Sequence, residues 1–172
     1  MTTPPPGRPP QPDRHDQAQP SPAQRTELVI WGAHGGAGTS TLASWLQPAW
    51  DAGKMRPEPD PQYPAELARG RVLVVACGIT ARSAAQATKA VAAVTRQRGR
   101  VAVLAVTSDG WGAPETAAAR FRLLEPRVGA VVWMPFIPAM REAADPVVVP
   151  LPRLALRALA KIRVAAGRDL PI

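Results

Sequence analysis

Glu27-Leu28-Val29-Ile30-Trp31-Gly32-Ala33-His34-Gly35-Gly36-Ala37-Gly38-Thr39-Ser40-Thr41-Leu42-Ala43 is the stretch on which the reading of this chain turns. Glu27 to Trp31 is a continuous, mostly apolar run closed by glycine, the pattern of a buried strand. From Thr39 to Trp50 the spacing is helical, with Leu42, Trp45 and Leu46 on one face. Strand, glycine-rich loop and helix in that order are the setting a phosphate-binding loop requires. Glycines at 35, 36 and 38 permit positive φ and put no Cβ in the way. The backbone N–H groups of His34, Gly35, Gly36, Ala37, Gly38, Thr39, Ser40 and Thr41 can then turn inward as a nest for an anion. Ser40 falls where a phosphate-loop hydroxyl binds Mg²⁺, whereas the place of the usual lysine is taken by Thr39. Losing a charged hydrogen bond costs about 1.5–3 kcal/mol, roughly ten- to a hundredfold in affinity. Turnover suffers more, because that lysine neutralises charge that develops during transfer. The alternative is a plain strand-to-helix turn that binds nothing.

Outward from the loop the same rhythm repeats. Arg71 to Cys77 reads as a second strand, and Thr80 caps a helix from Ala81 to Arg98 that stops at Gly99. Arg100 to Thr107 is a third strand. Pro114 opens a helix from Glu115 to Glu125, and Val128 to Met134 is a fourth strand, stopped by Pro135 and Pro138. A short helix near Ala139–Ala144 and a last amphipathic one, Pro152 to Ala166, complete the pattern. Residues 51–70 hold four prolines and little periodicity, and read as a long loop with one turn of helix. Strands written as unbroken Val/Leu runs and alternating with helices predict a small open parallel sheet covered by helices on both faces. The fold class is α/β in three layers.

The chain has 172 residues, 46% apolar and 20% charged, which suits one domain with a core of its own. Eight of its 21 prolines lie in the first 22 residues, where large apolar side chains are almost lacking. Residues 1–26 therefore read as a disordered or polyproline-II tail, and 27–172 as the folded domain. One cysteine, Cys77, excludes an internal disulfide and a multi-cysteine zinc site. No leader pattern and no membrane-length apolar run is present, so the expected compartment is the cytoplasm. The net charge is +8; three arginines and two aspartates in the tail leave +7 on the remainder. Such a surface attracts nucleic acid, anionic lipid or an acidic partner. An Arg- and Ala-rich composition reflecting genomic base bias explains it equally well.

The loop Gly35-Gly36-Ala37-Gly38-Thr39-Ser40-Thr41-Leu42-Ala43 resembles the deviant Walker A loop of the MinD/ParA group of P-loop ATPases. It is most similar to the atypical CpaE/TadZ branch, in which the loop lysine is replaced by a small residue. The second lysine of the group, just before the paired glycines, is His34 here. Val72 to Val94 resembles the family's strand, polar turn and long Ala-rich helix. Val101 to Ser108 resembles its next strand, with Ser108-Asp109 where an Asn or Asp touches the base. Pro135-Phe136-Ile137-Pro138, leading into Arg141-Glu142-Ala143, is similar to its late proline-containing segment. The switch aspartate and the aspartate-tipped Walker B strand find no counterpart: Asp51 and Asp60 are the only aspartates in the interval, neither at an expected strand end. The resemblance implies ATP or ADP with Mg²⁺ as ligand, Mg²⁺ on Ser40, and turnover at or near background. It further implies a positional or regulatory role in a secretion, pilus, conjugation or partition assembly, with protein partners and a homodimer among the contacts.

Two readings from other classes stay open. One is a pseudo-ATPase scaffold that binds proteins through the sheet's carboxyl edge and the tail. The other is a basic nucleic-acid-binding module. Asp109 and Trp111, just after the third strand, stand where α/β folds bind ligands, and could contact a base or a partner. Ser-Asp-Gly is equally an ordinary turn. His34 could approach a phosphate or simply stand on a loop. Arg153, Arg157 and Lys161 share a face of the last helix, opposite Leu154, Ala158 and Ile162, and could meet anionic lipid or nucleic acid. Cys77 reads as a small buried hydrophobe.

Overall fold

The computed structural model describes residues 28–56, 66–67 and 70–168. The expected tail, residues 1–26, and Asp60 lie outside the described residues. The architecture is α/β: a five-stranded, all-parallel sheet flanked by helices. Its strands are β1 (Leu28–Gly32), β2 (Ala49–Lys54), β3 (Val72–Gly78), β4 (Val103–Thr107) and β5 (Ala130–Met134). Its helices are α1 (Thr39–Trp45), α2 (Ala81–Arg96), α3 (Glu115–Leu124) and α4 (Arg153–Arg168). None of the described helices is long and apolar enough to cross a membrane.

Alternation along the strands sorts their side chains between two cores. Leu28 and Ile30 of β1, Val72 and Val74 of β3 and Val103 and Ala105 of β4 face one way, against Leu42 and Leu46 of the α1 region and Leu159 and Ile162 of α4. Val29, Trp31, Leu73, Val75 and Leu104 face the other way, against Ala87, Val91 and Val94 of α2 and Phe121 of α3. Both faces of the central strands are thus buried, which is why they read as unbroken apolar runs. At the β5 edge Trp133 meets Phe121 edge-to-face at 5.3 Å and 84°, a contact worth about 0.5–1.5 kcal/mol beyond burial. Thr80 caps α2 as expected, its hydroxyl accepting the Ser83 N–H at 3.1 Å. In α4 the buried stripe is Ala155, Ala158, Leu159, Ile162 and Ala166; Leu154, expected to face inward with Ala158, is exposed.

The interval after the loop is organised differently from its sequence reading. The helix expected from Thr39 to Trp50 ends at Trp45, and the chain turns at Gln47-Pro48 into strand β2. Proline at 48 removes a donor and clashes with a continuing helix, so it stops one there. β2 is the fifth strand. Its pairing with β1 (Leu28 with Ala49, Ile30 with Asp51) builds it from residues that alone have little strand propensity. Ala52 is the only buried residue of β2, as befits an edge strand. Of the remainder to Gly70, Glu66 and Leu67 are helical, and Leu67 is buried in the core beneath α2 and α3.

The strand order is β2-β1-β3-β4-β5. From β1 the chain passes to β2 on one side, and β3 then pairs on the other. Order reversal at β1/β3 makes a crevice at the carboxyl ends of those strands, the place where open α/β sheets bind ligands. The glycine-rich loop leaves β1 at that point.

Candidate functional site

The loop begins by extending the ladder: Ala33 N–H donates to Ala76 O at 2.8 Å. His34 then turns its ring across the crevice. Its Nε2 accepts the Gly78 N–H at 3.0 Å, so the proton resides on Nδ1, which donates to Gly35 O at 2.8 Å. His34 is therefore a strut between the ends of β1 and β3, with both ring nitrogens engaged. Gly36 (φ 77°) and Gly38 (φ 82°) adopt the left-handed conformation that glycine alone takes without cost, while Gly35 does not. Ala37 between them is fully buried. From the end of β4 the Thr107 hydroxyl lies 3.0 Å from Cys77 O and 3.5 Å from Ala37 O, tying loop to sheet. Gly38 O accepts the first helical bond of α1, from Leu42 N–H at 2.9 Å.

Gly32 is as constrained as any residue of the loop. A Cβ there would lie 2.5 Å from Thr39 Oγ1, 3.1 Å from His34 O and 3.3 Å from Gly53 O. The close approach also shows where Thr39 points: its hydroxyl is packed back against the end of β1.

Ser40 is exposed, and its hydroxyl donates to Asp51 Oδ2 at 2.5 Å. The other carboxylate oxygen of Asp51 accepts the Gly53 N–H at 2.8 Å. Asp51 had no place in a strand on sequence grounds. In the fold it stands on β2, directly beside β1, and faces the start of α1. Ser40, Asp51, Gly53 and Lys54 join the loop around an open cavity of about 360 Å³. A hydroxyl and a carboxylate in contact at the mouth of an anion-sized cavity can share a divalent cation. Among the described residues no group of three or more His, Cys, Asp or Glu stands together. A cation here would therefore draw its remaining ligands from water or from a bound anion.

On the side of β4 and β5 the loop borders a second cavity of about 250 Å³, lined by Gly36, Gly38, Trp45, Thr107, Phe136 and Arg141 among others. Trp45 is fixed by its Nε1 donating to Pro146 O at 3.0 Å, and the Arg141 guanidinium lies 4.8 Å from the Phe136 ring centre. Neither Asp109 nor Trp111 lines it. Asp109 Oδ1 accepts the Trp111 N–H at 3.0 Å, closing an Asx-type turn. Trp111 is 79% exposed. Around this cavity it is Phe136 and Trp45 that carry the aromatic surface.

Arg153, Arg157 and Lys161 are exposed on α4, whereas Arg163 reaches Trp45 O and Gln47 O at 3.3 and 3.4 Å and ties α4 to the end of α1. Cys77 is buried beneath the crevice, and burial pushes its thiol from 9.0 up to about 12. The thiolate is the nucleophile, so Cys77 is expected to resist alkylation in the native protein and react only on unfolding. The linkage has a sign. Above pH 9 the unfolded chain loses the thiol proton while the folded one keeps it, so stability falls as pH rises toward 12. Compared with Cys77→Ala, the wild type should lose about 1.4 kcal/mol per pH unit across that window. Urea melts of both proteins at a series of pH values check this; parallel curves would show that the thiol ionises freely in the fold.

No family model, curated protein or solved structure matches this chain.

Proposed function

We propose that the chain is a degenerate MinD/ParA-like protein, nearest the CpaE/TadZ kind, that binds ATP or ADP with Mg²⁺ as a conformational ligand. Its role is positional or regulatory, within a secretion, pilus, conjugation or partition assembly whose proteins are its partners. The observation that carries the reading is the Ser40–Asp51 contact. In phosphate-loop NTPases a loop Ser/Thr and an aspartate of a neighbouring strand hold the metal that bridges the phosphates. Here the same two chemical types meet at the same loop, although the spacing of the sequence concealed the aspartate. Backbone amides from Gly35 to Ser40 would take the phosphates, and Ser40 with Asp51 the Mg²⁺, which supplies neutralising charge when bound. The aromatic cavity beside Gly36 and Gly38 offers a surface on which a base can stack.

Titration of ATP and ADP into the purified protein by calorimetry, with and without Mg²⁺, tests the reading. Binding tighter than about millimolar, strengthened by Mg²⁺, supports it. If wild type and Thr39→Lys both stay folded and bind no nucleotide at that concentration, the loop is only a turn and a protein-binding scaffold takes its place. Turnover is expected at or near background, since the loop itself carries no lysine and the chain offers no counterpart of the family's switch aspartate. A rate of about one per second would overturn the degenerate assignment. DNA binding that falls steeply with salt and survives a disabled loop would point instead to a nucleic-acid module.

A further inference from the structure

Resting on that nucleotide reading, one feature of β2 goes further. Its register against β1 slips: Ile30 pairs with Asp51 but Gly32 with Lys54, so two residues of β2 stand opposite Trp31 alone. This is a β-bulge, and Gly53, at φ 71°, supplies its left-handed residue. In a regular strand residues three apart point to opposite faces. The bulge inserts one extra residue and so brings Asp51 and Lys54 to the same side, where both line the loop cavity. Met55 N–H donates to Gly32 O at 2.7 Å and locks the shifted register. Lys54 lies over the loop itself: its Nζ and Cδ are each 3.6 Å from where a Cβ on Gly35 would stand. The Asp51 carboxylate, which shares this cavity, takes its hydrogen bonds from the Ser40 hydroxyl and the Gly53 N–H. Thr39, in the place of the usual lysine, has its short hydroxyl packed against Gly32.

We infer that Lys54 delivers from the edge strand the positive charge that the loop lacks on its own helix, and that it contacts the outer phosphates of the nucleotide. The order of the cavities sets the direction. The aromatic cavity meets the loop at Gly36 and Gly38, while Lys54 stands at the opposite end, beside His34 and Gly35. With the base in the first, the phosphate chain runs toward Lys54 and its last members reach it. Beyond Lys54 lies a groove of about 640 Å³, and Lys89 is among the described residues that line it.

The test compares ATP and AMP binding, in Mg²⁺, across wild type, Lys54→Met, Lys54→Arg and Lys89→Met. Lys54→Met should weaken ATP by about ten- to a hundredfold and leave AMP within about threefold, because AMP lacks the outer phosphates. Lys54→Arg keeps the charge and should stay within about tenfold of wild type for ATP. Lys89→Met, a control for net charge in the same groove, should change neither ligand. Equal ATP affinity in wild type and Lys54→Met overturns this inference and leaves the nucleotide reading standing. So does an equal loss in Lys89→Met, or a loss of AMP as large as that of ATP. Absence of nucleotide binding by the folded wild type overturns both.

Discussion

Gly38→Val is expected to abolish nucleotide binding while the sheet stays folded. Gly38 sits at φ 82°, and a β-branched residue is a true outlier there, at a cost of about 1–3 kcal/mol. The first added atom finds room, since a Cβ would stand 3.4 Å from Thr107 Cγ2. The strain is therefore in the backbone. The chain can relieve it only by turning the Gly38 peptide, which takes Ala37 O away from Thr107 and Gly38 O away from Leu42 N–H. The amides proposed to hold the phosphates then no longer converge. A loss of about 1–3 kcal/mol lowers the melting point by roughly 3–15 °C for a domain of this size, which circular dichroism will show as a shifted but cooperative transition. Calorimetry with Mg-ATP should detect no binding. Wild-type affinity in folded Gly38→Val would show that the loop does not hold the phosphates, whatever else binds.

Asp51→Asn separates the metal from the phosphates. Asparagine keeps the shape and can still accept the Gly53 N–H, but removes the charge that meets Ser40. Affinity for Mg-ATP is expected to fall by about ten- to a hundredfold, the range for a charged contact. Affinity for ATP without Mg²⁺ should hold or improve, because a negative group beside the phosphates has been neutralised. Opposite responses to the same substitution are hard to obtain from unfolding, and melting curves should differ little. If both ligands weaken alike, Asp51 supports the loop sterically and holds no metal. Tighter Mg-ATP binding would mean that Asp51 only repels.

Much of the fold was legible because its central strands are buried on both faces. Leu28 to Trp31, Val72 to Cys77 and Val103 to Val106 have to be apolar at every position, and such runs do not depend on context to be recognised. The cap at Thr80 and the glycine-rich loop were legible for a local reason as well, since both follow from backbone chemistry within a few residues. β2 was not legible. Ala49-Trp50-Asp51-Ala52-Gly53-Lys54 has one buried residue and two poor strand formers, and it is a strand because β1 offers it hydrogen bonds. Pro48 was the one local sign that the helix could not continue.

The composition of the site divides along the same line. The sequence by itself determined the loop: where the glycines fall, which hydroxyls follow them, and that no lysine stands among them. Those properties reside in consecutive residues. Only the tertiary structure decided what faces the loop. Asp51 reaches Ser40 because two strands pair, Lys54 turns toward Gly35 because a bulge shifts their register, and His34 bridges to Gly78 because the strand order reverses at β1 and β3. Each of these contacts joins residues at least 11 positions apart, and such pairs are chosen by the packing of the whole sheet.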